Sequence, residues 1–173
     1  MNGWKSLLAV FSIIFFLNGA CSSEKGINKG KLARVHAAAQ TVKTSIAEGA
    51  SYQQVTDRVR QLSLEIEALE DRATEKREKE LAAEYKDLLA MYRDGLVLWR
   101  YKLDFAFFDS VLKGRIYVGQ DVEPIVIKYR FSTESHLYEP TGQYWKSIPG
   151  DSIQIIWSNS DSQLKAVENM TNY

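Results

Sequence analysis

Apolar residues recur at intervals of three and four positions through residues 52–73, and we call this row of residues the seam. It restricts the possible fold more than any other pattern in the chain. Most of the residues between them carry charged or amide side chains, so the pattern predicts an amphipathic helix with one buried face. Ser51 and Gln54 have the spacing of a capping box, which predicts that the helix begins directly after Ser51. The seam consists of Tyr52, Val55, Val59, Leu62, Ile66, Leu69 and Ala73.

A second amphipathic segment precedes this helix, with Leu32, Val35, Ala39, Val42 and Ile46 on one face. Gly49 follows it, and glycine is the residue that most readily adopts the left-handed conformation that ends a helix. Because only two or three residues join the two segments, the helices must be antiparallel neighbours. The sequence therefore predicts a helical hairpin over residues 31–72.

The spacing of apolar residues by three and four does not continue through the charged residues 70–80. We predict a turn there, between Asp71 and Thr74. A long helix is predicted over residues 75–113, with apolar stripes on two faces that both require covering. From Trp99 to Phe107 apolar and other residues alternate, as they would in a strand, but the helical periodicity upstream favours a helix.

Prolines and glycines are frequent in residues 114–150, which indicates irregular structure there. Two alternatives are open for residues 125–131: a β-branched strand, or a short helix with Pro124 as its first residue. Helical spacing returns in residues 151–169 and predicts a C-terminal helix. The predicted fold is thus all-α, a bundle of about four helices forming a single domain over residues 31–173.

Charge and cysteine content limit the classes of function. The 22 basic residues are balanced by 22 acidic residues, so the chain lacks the excess positive charge that binding to nucleic acid requires. Cys21 is the only cysteine, so an internal disulfide is excluded.

The first residues have the pattern of a secretory signal peptide. Lys5 and the amino terminus supply positive charge, residues 7–17 are almost entirely apolar, and Gly19 and Ala20 precede Cys21. The apolar run would span only about 17 Å as a helix, which is short of a bilayer core of about 30 Å. The sequence therefore predicts a signal peptide over residues 1–20 rather than a permanent membrane anchor.

Leu17-Asn18-Gly19-Ala20-Cys21 resembles the lipobox of bacterial lipoprotein precursors. That family usually has leucine three residues before the cysteine, where this chain has Asn18, with Leu17 one position earlier. In that family a signal peptidase cuts before the cysteine, which is then acylated on its sulfur and amino group. The resemblance implies that Cys21 is the lipidated first residue, and that residues 21–30 include a short polar tether.

Ser22 follows the cysteine, which implies outer-membrane sorting with the domain facing the periplasm. Without acylation, we would expect a periplasmic or secreted protein. Ser51-Tyr52, Tyr92 and Trp99 are also similar to residues in helical domains of uncharacterised bacterial envelope proteins.

The residues that could carry chemistry do not form a catalytic or metal-binding motif. His36 and His136 lie a hundred positions apart, and His136 stands in a predicted loop with Glu134 and Glu139. The carboxylates Glu80, Glu84 and Asp87 share a helix face but lack the Glu-x-x-His motif of a di-iron bundle. We therefore predict no enzymatic activity, no metal and no cofactor.

Most of the aromatic residues after Cys21 lie between Trp99 and Tyr173. Packing of these rings onto the long helix explains most of them, since aromatic side chains bury large areas. A binding surface is the functional interpretation, with Trp99, Tyr101, Tyr144 and Trp145 as its candidate residues. The sequence thus predicts a lipid-anchored interaction or scaffold module with an envelope protein as partner. The alternative is a small-ligand carrier or sensor with an aromatic-lined cavity between the long helix and the C-terminal segment.

Overall fold

A computed structural model describes residues 29–106 and 113–171; the predicted signal peptide and Cys21 lie outside these ranges. Within them the chain forms five α-helices and three β-strands. The helices are α1 (Lys29–Ala47), α2 (Tyr52–Arg72), α3 (Lys76–Asp104), α4 (Glu123–Tyr129) and α5 (Ser152–Thr171). The strands are β1 (Arg115–Tyr117), β2 (Glu134–Tyr138) and β3 (Gln143–Pro149).

The predicted helical hairpin is confirmed. The Ser51 hydroxyl accepts from the Gln54 backbone N–H at 3.3 Å, and the Gln54 side chain accepts from the Ser51 N–H at 2.9 Å. Gly49 has a φ of +74°, so the turn between α1 and α2 uses the left-handed conformation that glycine tolerates best. The predicted seam of α2 is buried from Val55 to Leu69, while Tyr52 and Ala73 at its ends are only partly covered.

Helices α1, α2, α3 and α5 form an up-down-up-down bundle. Arg77 near the start of α3 donates to the backbone oxygen of Met170 near the end of α5 at 3.0 Å, so these two helices are antiparallel. The His36 Nδ1 atom of α1 lies 3.3 Å from the Tyr85 hydroxyl of α3. The beginning of α1 therefore lies at the same end of the bundle as the beginning of α3.

The fold is mainly helical, as predicted, but it is not purely all-α, because the segment predicted as irregular contains an antiparallel sheet. Its strand order is β1-β3-β2, and Ile116 on β1 pairs with Ile148 on β3. Both isoleucines are fully buried in the main core, which fixes one face of the sheet on the helices. Most of the prolines and glycines that indicated irregular structure mark turns and strand ends, including the β2–β3 turn at residues 139–142, while Pro124 lies in the first turn of α4.

Of the two alternatives for residues 125–131, the helix is correct. Helix α4 begins at Glu123 with Pro124 in its first turn, where the missing N–H of proline removes no helical hydrogen bond. It ends at Tyr129, and Arg130 takes the left-handed conformation with a φ of 55°. This short helix gives the described residues one helix more than the predicted four.

The long third helix ends earlier than predicted, at Asp104 rather than near residue 113. Phe105 leaves the helix, and its ring lies 5.0 Å between centroids from Tyr117 of β1 and 5.5 Å from Tyr101. Packing of the aromatic side chains against the sheet thus accompanies the end of the helix, and no proline or glycine is required there. The rest of the predicted helix, residues 107–112, lies outside the described ranges.

Alkaline pH is expected to weaken the bundle through Tyr85. Burial, together with the smaller effect of the nearby Glu168 carboxylate, raises the pKa of the fully buried Tyr85 to about 12. The hydroxyl therefore keeps its proton in the folded state over a range where the unfolded chain, with a pKa near 10.0, loses it. The resulting stabilisation is complete below pH 10 and is lost as the pH rises towards 12.

Urea unfolding of the wild type and of Tyr85→Phe over this pH range measures the effect. The variant should show a smaller fall in the free energy of unfolding, whereas Tyr144→Phe, with its ring exposed, should behave as the wild type. Equal pH dependence in the wild type and Tyr85→Phe would contradict the assignment.

Candidate functional site

The helices leave much of the β2–β3 hairpin uncovered. Strand β2 is at the edge of the sheet and packs mainly on β3. Every residue from Leu137 to Tyr144 is exposed, including the four residues of the turn. We call residues 134–146 the arm.

Large apolar side chains are exposed on both faces of the arm. Leu137 and Tyr144 are directly paired across the two strands and are 50% and 75% exposed. Tyr138, 42% exposed, lies on the opposite face because successive strand residues alternate. Other exposed apolar residues, such as Leu64 on α2, are on the helices. The adjacent pair of Leu137 and Tyr144 is therefore the apolar patch that the arm offers to a partner.

Trp145 is half-buried on the face of the arm opposite to Tyr144. Its ring lies 4.3 Å between centroids from His136 and 6.1 Å from Tyr117. Through Tyr117 it continues a row of contacting aromatic rings that ends at Phe105 and Tyr101 of α3. Trp145 and Tyr101 thus pack the sheet onto the end of α3.

Trp99 lies apart from this row. It contacts Tyr52 at the start of α2, with 5.7 Å between the ring centroids in an edge-to-face arrangement. The four predicted surface residues therefore do not form one surface, and of the four only Tyr144 is largely exposed. Leu137 and Tyr138 were missed by the sequence prediction, although the alternating pattern of a hairpin strand could have indicated them.

A polar cluster attaches the arm to β1. Arg115 donates from Nη1 to the Glu134 carboxylate at 2.8 Å and from Nε to the Ser147 hydroxyl at 3.0 Å. The Nε2 atom of His136 lies 2.7 Å from the same hydroxyl. Ser147 is fully buried, so its hydroxyl cannot meet a substrate, and the cluster acts in holding the three strands together. No spacing in the sequence indicated that Arg115 and Ser147 would meet His136.

The hydroxyl of Ser147 also determines the tautomer of His136. Arg115 can only donate, so Ser147 accepts from it and keeps one hydrogen to donate. With Ser147 buried, the best acceptor is the Nε2 lone pair of His136, since a buried hydroxyl hydrogen without an acceptor costs about 1–3 kcal/mol. The neutral imidazole therefore carries its hydrogen on Nδ1, and His136 serves as an acceptor within the cluster.

The other predicted histidine and carboxylates lie on the helical bundle. His36 is placed between the Tyr85 hydroxyl and Glu168, with its Nε2 atom 3.8 Å from the carboxylate. Glu84 accepts from the amide of Gln163 on α5 at 2.6 Å. These side chains join neighbouring helices, and they converge on neither a cavity nor the arm.

An open cleft of about 440 Å³ lies where the end of α3 meets β1 and the start of α5. The candidate aromatic residues do not line it, so it differs from the predicted aromatic-lined cavity. Its lining is largely polar or backbone: Lys102, Gly114, Arg115, Pro149, Gly150, Asp151 and Gln154.

Residues 29–106 and 113–171 contain no group of three or more histidine, cysteine, aspartate or glutamate side chains placed to hold a metal ion. The helices in the same part of the chain are also too short or too polar to cross a membrane. Comparison with protein-family models, curated proteins and solved structures finds no significant match to the chain.

Proposed function

We propose that the protein is a bacterial envelope lipoprotein whose helical bundle presents the arm to a partner protein. The acylated Cys21 would anchor it to the outer membrane, with the folded part in the periplasm. The observation that carries the proposal is the adjacent exposed pair of Leu137 and Tyr144 on an otherwise weakly covered arm. Tyrosine is among the residues that dominate the binding energy of protein interfaces. Contiguous exposed apolar surface, as Leu137 and Tyr144 form, marks interaction sites.

The positions of the arm and of the start of α1, at opposite ends of the bundle, support this function. The chain enters α1 at the end of the bundle where α3 begins and α5 ends, as the contact of Arg77 with Met170 and that of His36 with Tyr85 indicate. The sheet is at the other end, because Phe105 just after α3 contacts Tyr117 of β1. A lipid on Cys21 therefore holds the end of the bundle that is remote from the arm.

The distances fit presentation away from a membrane. Helix α3 has 29 residues and is therefore about 43 Å long. Residues 21–28 connect the lipidated position to α1 and can span at most about 28 Å when fully extended. The bundle thus works as a spacer that places the arm roughly 40 Å or more from the anchored end.

A small-ligand carrier is the second candidate, and the cleft beside Lys102 is the observation in its favour. Ligand pockets in proteins are mostly apolar and enclose most of the ligand. This cleft is open and only about half apolar, and Trp99, Tyr101 and Trp145 do not line it. The arm is therefore the better supported site.

Site-specific photo-cross-linking in intact cells tests the proposal. A photoreactive amino acid placed at Tyr144 should give a discrete cross-linked product that is lost when Leu137 is changed to serine. The matched control places the same photoreactive residue at Leu64, which is 53% exposed on α2 but belongs to the bundle. Position 64 should give no product of the same mass.

The product should also depend on the anchor, so Cys21→Ala should reduce its yield by removing the chain from the membrane. Equal products at positions 144 and 64, or no product at position 144, would refute a binding role for the arm. The mass of the product separates a second copy of this chain from a different protein.

A further inference from the structure

The basic residues are distributed unevenly along the chain. Residues 21–47 contain five basic residues and one acidic residue, Glu24, whereas residues 48–173 contain 16 basic and 21 acidic residues. Residues 25–47 are the longest stretch after Cys21 that lacks an acidic residue. The chain is therefore neutral only as a whole, and a positively charged segment follows the proposed lipid directly.

Within this segment the charge is concentrated where α1 begins. Lys29, Lys31 and Arg34 lie in the first six residues of α1, and only Lys43 follows in the rest of the helix. Successive residues of a helix are rotated by about 100°, so positions 29, 31 and 34 do not all share one side of α1. What they share is the end of the helix, which is also the end of the bundle that the lipid would hold.

The charge at this end is not cancelled by its neighbours. Arg34 is exposed, and within residues 29–106 and 113–171 it forms no ion pair. Glu70, at the end of α2, is occupied by Lys86, whose Nζ atom lies 2.7 Å from its carboxylate. Eight basic and six acidic residues lie in the segments that form this end of the bundle, 29–34, 70–80 and 165–171.

We propose that the end of the bundle at which α1 begins contacts the anionic headgroups of the membrane that holds the lipid. The inference rests on the proposed function, because an acyl chain on Cys21 keeps this end within the span of residues 21–28, at most about 28 Å. Anionic lipids attract basic residues close to the surface, over roughly the Debye length of about 8 Å at physiological ionic strength. A lipid surface is favoured over an acidic protein because the anchor holds this charge beside lipid continuously.

The position of the charge also determines how the bundle is oriented. A basic stripe along the whole of α1 would hold the helix flat on the surface, but the charge lies at one end of it. Contact at that end holds the bundle upright, with the arm on the side away from the membrane. Lipid and headgroup contact together give firmer attachment than either alone.

Energy transfer to labelled lipid in vesicles measures this contact. The purified lipoprotein with Ala37→Cys, at an exposed position of α1, carries a donor dye. It is reconstituted in phosphatidylcholine vesicles that contain an acceptor lipid, with or without phosphatidylglycerol. Phosphatidylglycerol should raise the transfer about two-fold, and added salt should reverse the rise because it screens the attraction. The chain without an added cysteine controls for labelling of Cys21.

A dye at Thr141→Cys, in the exposed β2–β3 turn, tests the orientation. Transfer from this position should be low and should not change with phosphatidylglycerol. A rise at Thr141 equal to that at Ala37 would overturn the upright orientation.

Removing the charge at the start of α1 should abolish the rise at Ala37. The test variant carries Lys29→Gln, Lys31→Gln and Arg34→Gln, and an unchanged circular dichroism spectrum shows that it is folded. The matched control removes the same charge from exposed residues at the other end of the bundle and should keep the rise. Its substitutions are Arg58→Gln, Arg60→Gln and Lys113→Gln. Equal loss in both variants would overturn the assignment to the start of α1.

Flotation of the vesicles separates this inference from the proposed anchor. Protein that floats with both kinds of vesicle but shows no rise with phosphatidylglycerol overturns the headgroup contact and leaves the lipid anchor; an acidic protein as the true occupant would give this result. Protein that floats only with the anionic vesicles supports the contact and overturns acylation of Cys21. Protein that floats with neither overturns both.

Discussion

Gly95→Ala is expected to lower the free energy of unfolding by about 3 kcal/mol, although alanine normally stabilises a helix interior. A Cβ atom at this position of α3 would lie 2.2 Å from two ring atoms of Trp157 on α5. Trp157 is only 7% exposed and also contacts Tyr92, so its ring has little room to move. The steric conflict should therefore outweigh the gain of about 1 kcal/mol from helix propensity. Urea denaturation followed by circular dichroism measures the change.

A double-mutant cycle separates the clash from other effects of the substitution. Trp157→Leu removes the ring and should itself destabilise the protein by leaving a cavity. In that background, Gly95→Ala should become neutral or stabilising, because the side chain that it would meet is gone. A loss of about 3 kcal/mol in both backgrounds would show that the close contact of α3 and α5 at Gly95 is not the cause.

Cys21→Ala is expected to abolish acyl labelling and to move the folded chain out of the membrane fraction. Each buried CH₂ of an acyl chain contributes about 0.8 kcal/mol to membrane attachment, so several chains on one residue give stable anchoring. Metabolic labelling with a fatty acid, cell fractionation and mass spectrometry of the mature amino terminus measure the result.

Ser23→Ala is the matched control and should keep the label and the membrane location. The lipoprotein assignment would be wrong if Cys21→Ala were processed to the same size as the wild type and stayed in the membrane fraction. An unmodified thiol at the mature amino terminus of the wild type would contradict it equally.

The helical hairpin and its turn could be predicted because their determinants are local. The spacing of apolar residues from Val55 to Leu69 fits a helix and not a strand. Ser51 and Gln54 mark the first turn of this helix. Pro124 likewise contained the information needed to choose a helix for α4. In each case the deciding interaction joins residues within about one turn of each other.

The sheet was missed because its determinants are distant in sequence. Strand β1 has three residues and pairs with β3 more than 25 positions later, so no local pattern marks it as a strand. The β2–β3 hairpin did leave a local signal, a four-residue turn ending in Gly142 between two short runs of alternating side chains. The proline and glycine of that turn also indicate irregular structure, and this second reading of the same residues obscures the hairpin.

The candidate surface also separates what local sequence determines from what depends on contacts between distant segments, here for single side chains. Tyr144 and Trp145 were grouped because they are adjacent in sequence, yet neighbouring strand residues point to opposite faces. Trp145 packs against His136 and Tyr117, while Tyr144 meets solvent. Trp99 was assigned to the same surface, but its contact with Tyr52 depends on how α2 and α3 pack.

The amino-acid sequence alone determined where α1, α2 and α5 form, because side-chain periodicity and capping act over a few residues. It also carried the lipobox resemblance, on which the proposed anchoring rests. Tertiary structure alone decided that an arm extends from the end of the bundle remote from the start of α1, that Ser147 joins Arg115 to His136, and that Leu137 lies beside Tyr144. The physical reason is that burial and strand pairing depend on which distant segments meet, and periodicity along one segment does not contain that information.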